Sequence, residues 1–299
     1  MSYARAARTR SIWSVLRDVV ALSKPRITSM VVFTAFGGYW LACQAFGVEM
    51  TAAVMVPLLA GTALVVSGAN ALNMYLERDT DALMSRTKTR PLPTGRLSAD
   101  VALAFGVFCS AVSIPWLTLG VHPITGLLAT VALVSYVGAY TPLKRKSPAA
   151  LLVGAVPGAI PPLLGWTAAR GSVDGPGVIL FFIMFLWQVP HFLAIATFRK
   201  SEYAAAGMKV GPVVHGERVT RHHVVRYLAA LVLASLLLVP YGIGGDTYMV
   251  AALVLGAAFF GVGAWGLRHT AGARWARAVF ATSLVYLTGI FVALTVGAT

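Results

Sequence analysis

Nine runs of this chain, each roughly 20 residues long, carry almost no charge, and that is the length at which a helix crosses a bilayer. They lie at 27–48, 51–76, 101–120, 121–143, 147–169, 175–198, 227–245, 247–267 and 278–299. The expected fold is therefore all-α, a polytopic membrane helix bundle with about nine transmembrane helices. Hydrophobic residues make up 58% of the chain and charged residues only 11%, with a mean hydropathy of +0.77, which excludes an ordinary soluble domain. Only a turn signal at Gly120, His122 and Pro123 separates the third run from the fourth. The chain divides into a cytoplasmic N-terminal tail, residues 1–26, and a single transmembrane domain, residues 27–299.

Positive residues flanking short loops stay on the cytoplasmic side, so lysines and arginines test this count. Of the 24, all but Arg170 fall in the tail or after runs two, four, six and eight, which puts the N-terminus inside and the C-terminus outside. The net charge of +14 is then an orientation signal, and no basic stripe with interleaved aromatics is left to bind nucleic acid. The same cationic face draws anionic lipid headgroups and an anionic substrate. The tail has arginines but neither an apolar core nor a small-residue cleavage site, so it does not read as a secretory signal. Its arginine and serine content keeps the mitochondrial inner membrane as the alternative to the cell inner (plasma) membrane. Cys43 and Cys109 lie in apolar runs without metal-ligand spacing and read as packing residues. Trp13, Trp40, Trp116, Trp166, Trp187, Trp265 and Trp275 lie mostly near run ends, as interfacial anchors do.

The unusual polar residues begin at Asn70. On a helix Asn73, Glu77 and Asp81 follow at four-residue steps and share a face, with Asn70 one turn earlier and Arg78 and Asp79 pointing elsewhere. Carboxylates this close repel unless a cation neutralises them, and Mg²⁺ takes one or two carboxylates plus phosphate oxygens. Arg86, Lys88, Arg90 and Arg96 follow at once, so the segment reads as a site for a metal-bound diphosphate at a membrane surface. Asn73, Glu77 and Asp81 are the candidate catalytic and metal-holding residues; Asn70, Arg86, Lys88 and Arg90 are candidates for the substrate. A merely solvated acidic cluster is the plainer account, but acids do little for orientation and are costly to desolvate at a helix end, which favours function.

A second polar region follows the sixth run, with Gln188, Pro190 and His191 at membrane depth and Arg199, Lys200, Glu202, Tyr203, Lys209 and His215 beyond it. His191 is either a pocket ligand or a hydrogen bonder to carbonyls freed by Pro190. His215, His222 and His223 read as solvated loop residues. Lys144, Arg145 and Lys146 read first as orientation charges, with Lys144 also kept as a substrate candidate.

These residues resemble the signature of the UbiA-type intramembrane prenyltransferases, in which an asparagine is followed at four-residue steps by two acids and then by an Arg-Pro-Leu-Pro-x-Gly run, here Arg90 to Gly95. The wording NMYLERDTDALMSRT is similar to the branch that farnesylates haem. So are SKPRI at 23–27, YTPLKRKSP at 140–148, GAIPPLLGW at 158–166, WQVPHF at 187–192 and the Glu-Tyr at 202–203 with its following Ala-Gly. WARAVFATSLVYL at 275–287 resembles the family's last span, so the likeness covers nearly all of the chain after residue 20. It implies Mg²⁺ as cofactor, farnesyl diphosphate and haem b as substrates in a lipid bilayer, and farnesyl transfer to a haem vinyl group with addition of water. It also implies a terminal oxidase assembly or a haem A synthesis partner. For individual residues it implies His191 at the haem iron or ring edge, Arg199 or Lys200 at the propionates, and Glu202 and Tyr203 in the second half of the pocket. Ser201 stands where the branch has a second acid, which argues against a full second metal site, and Lys209 adds a cation. The rivals are a prenyltransferase of the same architecture acting on a quinone precursor or chlorophyllide, and a secondary transporter, whose ionisable groups belong near mid-membrane.

Overall fold

The computed structural model describes residues 11–268 and 272–297. Ten helices account for most of them: α1 (Ile12–Leu22), α2 (Pro25–Phe46), α3 (Ala52–Asp81), α4 (Ala99–Gly120), α5 (Pro123–Val134), α6 (Ala150–Arg170), α7 (Gly175–Phe198), α8 (Gly216–Leu236), α9 (Gly245–Trp265) and α10 (Ala273–Gly297). Among the described residues none is in a strand, and nine helical spans, α2 to α10 with α5 continued to Leu143, are long and apolar enough to cross a membrane. The weak boundary between the third and fourth runs is a real one. His122 ends the turn, and its Nδ1 accepts from the Ile124 amide at 3.3 Å to cap α5. Ser98 and Asp174 cap α4 and α7 in the same way, and left-handed Gly47 and Gly171 stop α2 and α6.

Helices α2 to α6 pack in chain order and α6 closes back on α2, while α7 to α10 form a second group around α7, with α6 shared between the groups. Lipid offers no hydrophobic drive between helices, so close backbone approach has to supply the contact. At the α2–α6 crossing a Cβ on Gly38 would overlap the Pro162 carbonyl, and one on Gly165 would overlap the Ala35 carbonyl. Buried polar groups stitch the second group: Tyr248 Oη donates to the Ser235 carbonyl at 2.7 Å, and Ser235 Oγ meets Tyr286 Oη at 2.5 Å.

Three details go beyond the sequence reading. The seventh membrane helix starts at Gly216, well before the apolar run at 227, so His222 and His223 lie on a helix and Arg221 pairs there with Glu217 at 3.1 Å. Trp166, Trp187 and Trp275 are buried in the protein, with their indole N–H groups bonded to Asp174, to the Ser283 carbonyl and to the Val262 carbonyl. Part of the tail is helical, as α1; its residues 1–10 lie outside the described residues.

Candidate active site

α3 runs on past its apolar run through the acids, and Asn70, Asn73, Glu77 and Asp81 are buried along one side of its last turns. Arg78 and Asp79 point away, with side chains 42% and 83% exposed. Each of those four buried residues is met from another segment. Asn70 Nδ2 donates to the Ser23 carbonyl at 3.3 Å, Lys24 Nζ to Asn73 Oδ1 at 3.1 Å, Lys144 Nζ to Glu77 Oε1 at 2.9 Å and Arg90 Nη1 to Asp81 Oδ2 at 2.6 Å. Asn73 Nδ2 completes the set by donating to Thr141 Oγ1 at 3.1 Å.

These groups stand at the mouth of a cavity of about 570 Å³ lined by α2, α3, α5, α6 and α7. Among the described residues five cations line it, Lys24, Arg86, Arg90, Lys144 and Lys209, against two carboxylates, Glu77 and Asp81, so the mouth is electropositive and suited to a polyanion. Burial, with Arg90 and Lys144 adding repulsion, lowers Lys24 to about 7. Burial acts the same way on Lys144, but Tyr140 and Glu77 beside it outweigh that and raise it overall. Lys24 is also the one non-glycine residue with positive φ among those described, at +47°. Held strain of this kind clusters at functional sites.

The wall opposite α3 depends on an irregularity. α5 continues as a π-helical turn, Ser135–Tyr140, before Thr141–Leu143, and the extra residue per turn brings Tyr136, Tyr140, Thr141 and Lys144 toward the acids. The Lys144 ammonium sits 4.4 Å from the centre of the Tyr140 ring.

Deeper in, the cavity is apolar and ends on α7. Gln188 Nε2 donates to the Met184 carbonyl at 3.0 Å, and its amide packs where a Cβ on Gly158 would clash. His191 stacks on Trp187 at 4.8 Å and lies as close to Phe280. Ser283 Oγ donates its only proton to the Phe280 carbonyl at 2.5 Å, so it accepts from His191 Nδ1–H at 2.7 Å. Nε2 then carries the lone pair, and no described residue bonds it.

Of the expected site residues, Asn70, Asn73, Glu77, Asp81, Arg86, Arg90, Lys144, His191 and Tyr203 line this one cavity. Lys88, Arg199, Lys200 and Glu202 do not. Lys88 is exposed, Lys200 Nζ lies 4.0 Å from Glu217, and Glu202 bonds Ser85 and, at 3.0 Å, Arg199. Glu202 thus ties the loop after α3 to the loop after α7, where Met84 packs with Ala206 and Met208; Ser85, with Arg199, holds its carboxyl below the usual range. Sequence reading missed Lys24, Tyr136, Tyr140, Thr141 and Ser283 as site residues. The SKPRI wording held a signal for Lys24, a cation fixed by the following proline at the edge of the first span.

Among the described residues no three His, Cys, Asp or Glu side chains converge as a metal cage. The donor set is instead hard oxygen on one helix face: Glu77 and Asp81 each use one oxygen on a cation, and among the described residues no side chain or backbone group bonds Glu77 Oε2 or Asp81 Oδ1. That fits Mg²⁺ bound through two carboxylates with phosphate oxygens completing the shell.

A family model described as the UbiA prenyltransferase family matches residues 31–285. The chain is 56% identical over 280 residues to a protoheme IX farnesyltransferase of Sorangium cellulosum, covering 90% of this chain and 100% of that one. Its fold is similar to that of a digeranylgeranylglyceryl phosphate synthase structure (TM-score 0.81, 18% identity, 95% and 98% of the two chains). It is also similar to a UbiA homolog from Archaeoglobus fulgidus bound to GPP and Mg²⁺ (TM-score 0.61, 15% identity, 93% and 99%).

Proposed function

The chain belongs to the UbiA prenyltransferase family, and we propose that it transfers a farnesyl group from farnesyl diphosphate to a vinyl group of haem b, with addition of water. The observation that carries this reading is one cavity with five cations and two carboxylates at its mouth and an aromatic-flanked histidine in its depth. The protoheme IX farnesyltransferase name of the Sorangium relative supports haem as acceptor, and the GPP and Mg²⁺ of the Archaeoglobus homolog support a metal-assisted prenyl diphosphate.

Glu77 and Asp81, with Asn73 beside them, would hold Mg²⁺, which neutralises the diphosphate when bound. Lys24, Arg86, Arg90 and Lys144 meet the remaining phosphate oxygens. As the allylic C–O bond breaks, its electron pair leaves with the diphosphate, and these fixed cations stabilise the charge where it develops. The vinyl terminal carbon bonds to the farnesyl C1, and water captures the resulting cation on the inner carbon and releases a proton. Bulk water must be kept out until then, which the apolar chamber and the knitted loops do. Tyr203 closes the wall beside Arg86, and the His191 Nε2 lone pair is placed for the haem iron or ring edge. Arg199, Lys200 and Glu202 act by holding the loops. The cation-rich loops support an N-terminus and a mouth on the cytoplasmic side of the plasma membrane, and a haem A synthesis partner or terminal oxidase assembly is the candidate recipient of the product.

The deciding experiment incubates purified protein with haem b, farnesyl diphosphate and Mg²⁺ and extracts the haem for mass spectrometry. A gain of one farnesyl plus water is expected. Unmodified haem, with diphosphate released only when another acceptor takes up the prenyl group, would assign a different branch of the family. Asp81→Asn should lower turnover by roughly 10²- to 10³-fold, as losing one electrostatic stabiliser does.

A further inference from the structure

We infer that α1 is an interfacial helix that docks on the anionic headgroups of the bilayer this chain spans, and that by docking it braces the cavity mouth. The helix has two different faces. Leu22 and Asp18 are buried, and Leu22 with Val15 and Val19 packs against Ala71, Met74, Leu92, Leu97 and Ala102, which belong to α3, α4 and the loop between them. At 100° per residue, Ile12, Leu16 and Val20 line up on the adjoining face with Trp13 next to them, and these four are 71%, 48%, 55% and 77% exposed. No described element covers that stripe.

Position and charge identify what covers it. α1 ends at Leu22 and the first membrane helix begins at Pro25, so the stripe stands where lipid headgroups must be. Arg17 at its edge and Arg26 just beyond it are exposed, Arg5, Arg8 and Arg10 precede it in sequence, and its one acid, Asp18, is tied at 3.1 Å to Arg96. An apolar stripe rimmed by arginine binds a membrane surface through buried area plus attraction to anionic lipid.

The consequence reaches the site by two routes. Ser23 and Lys24 follow α1 directly and bond Asn70 and Asn73 of α3. Arg96, held by Asp18, donates from Nη2 to the Thr89 carbonyl at 2.9 Å, next to Arg90. A lipid-seated α1 therefore fixes both Lys24 and the loop that carries Arg90.

The test uses the full chain in nanodiscs of chain-brominated phosphatidylcholine, with or without phosphatidylglycerol. The Trp13 signal is taken as the difference between the wild type and Trp13→Phe. The expected result is quenching by the brominated chains, shielding from acrylamide, and stronger quenching with phosphatidylglycerol that is lost in Arg17→Gln/Arg26→Gln. Affinity for Mg²⁺ pyrophosphate should fall by about tenfold in Leu16→Ser/Val20→Ser, the scale of losing a supporting contact behind a ligand. Acrylamide-accessible, unquenched Trp13 would overturn the docking, equal quenching in both lipids would overturn the charge recognition, and unchanged pyrophosphate affinity in a variant whose α1 has lifted would overturn the bracing. Because pyrophosphate and Trp13 are the probes, failure here is separate from failure of the haem assignment.

Discussion

Lys24 links buried charge to substrate binding. It lies near two ion pairs, Arg90 with Asp81 and Lys144 with Glu77, and burial plus the two cations set it at about 7, below the usual range for an ammonium. The folded chain therefore holds fewer protons here than the unfolded one between about pH 7 and 10.5, and Lys24 is neutral above pH 7. A diphosphate favours the charged form and restores that proton. Diphosphate binding at pH 8 should take up to one proton, read by calorimetry in two buffers of different ionisation enthalpy, and affinity should weaken as pH rises above 7. Lys24→Met should abolish the uptake; uptake unchanged in that variant would remove Lys24 from the site. Ser283 gives the second residue-scale prediction. With its proton committed to Phe280, it orients His191, and such supporting partners are worth about 10- to 100-fold in metal affinity. Ser283→Ala should weaken haem b binding by about tenfold and shift the Soret band, Ser283→Thr should restore both, and His191→Ala should lose the shift entirely. An identical spectrum in all of them would make His191 a packing residue. The four-residue spacing of Asn73, Glu77 and Asp81 was legible in the sequence because one helix fixes it. Lys24 and Ser283 were not, because the first meets its partner 49 positions away and the second 92.

Among the elements, α5 bears most directly on the site. Sequence periodicity marks an apolar span from 121 to 143, but it cannot show the π-helical turn at Ser135–Tyr140, which alters helix phase without altering composition. That phase is why Lys144, read first as an orientation charge, ends on Glu77. Removing one residue from the turn should restore an α-helix and rotate everything beyond it by about 100°. Gly138 is the place to do so, because it has no side chain to lose and a Cβ there would meet nothing within 4 Å. ΔGly138 should insert and purify as the wild type does, yet lose Mg²⁺-dependent diphosphate release. Full activity would show that the Lys144–Glu77 contact has no part in turnover. The span count and the helical course of α3 were readable, since each is a property of one continuous run. The start of α8 was not, because its first turns are polar and are held by Glu217 pairing with Arg221 and Lys200.

At the scale of the whole molecule, two groups of helices meet at α6, and the loops that close over their shared cavity come one from each, after α3 and after α7. Ser85 to Glu202 and the Met84, Ala206 and Met208 cluster are the seams between them. A chamber that shelters a carbocation must exclude water during reaction, yet a long prenyl diphosphate and a macrocycle must enter it, so these seams have to part in each cycle. Glu202, expected from its sequence setting to touch substrate, makes better physical sense as a latch, since it stands off the cavity wall and grips the opposite loop. Replacing Ser85 and Glu202 with cysteine and joining them with a short bis-maleimide tests this directly, because native Cys43 and Cys109 are buried in the bundle and stay unreacted. Each single variant should keep most of its turnover. The cross-linked double variant should lose it at least tenfold while still folded, as expected when opening rather than chemistry limits the cycle. A cross-linked protein that turns over at the uncross-linked rate would show that substrates reach the acids through the bilayer side of the bundle instead.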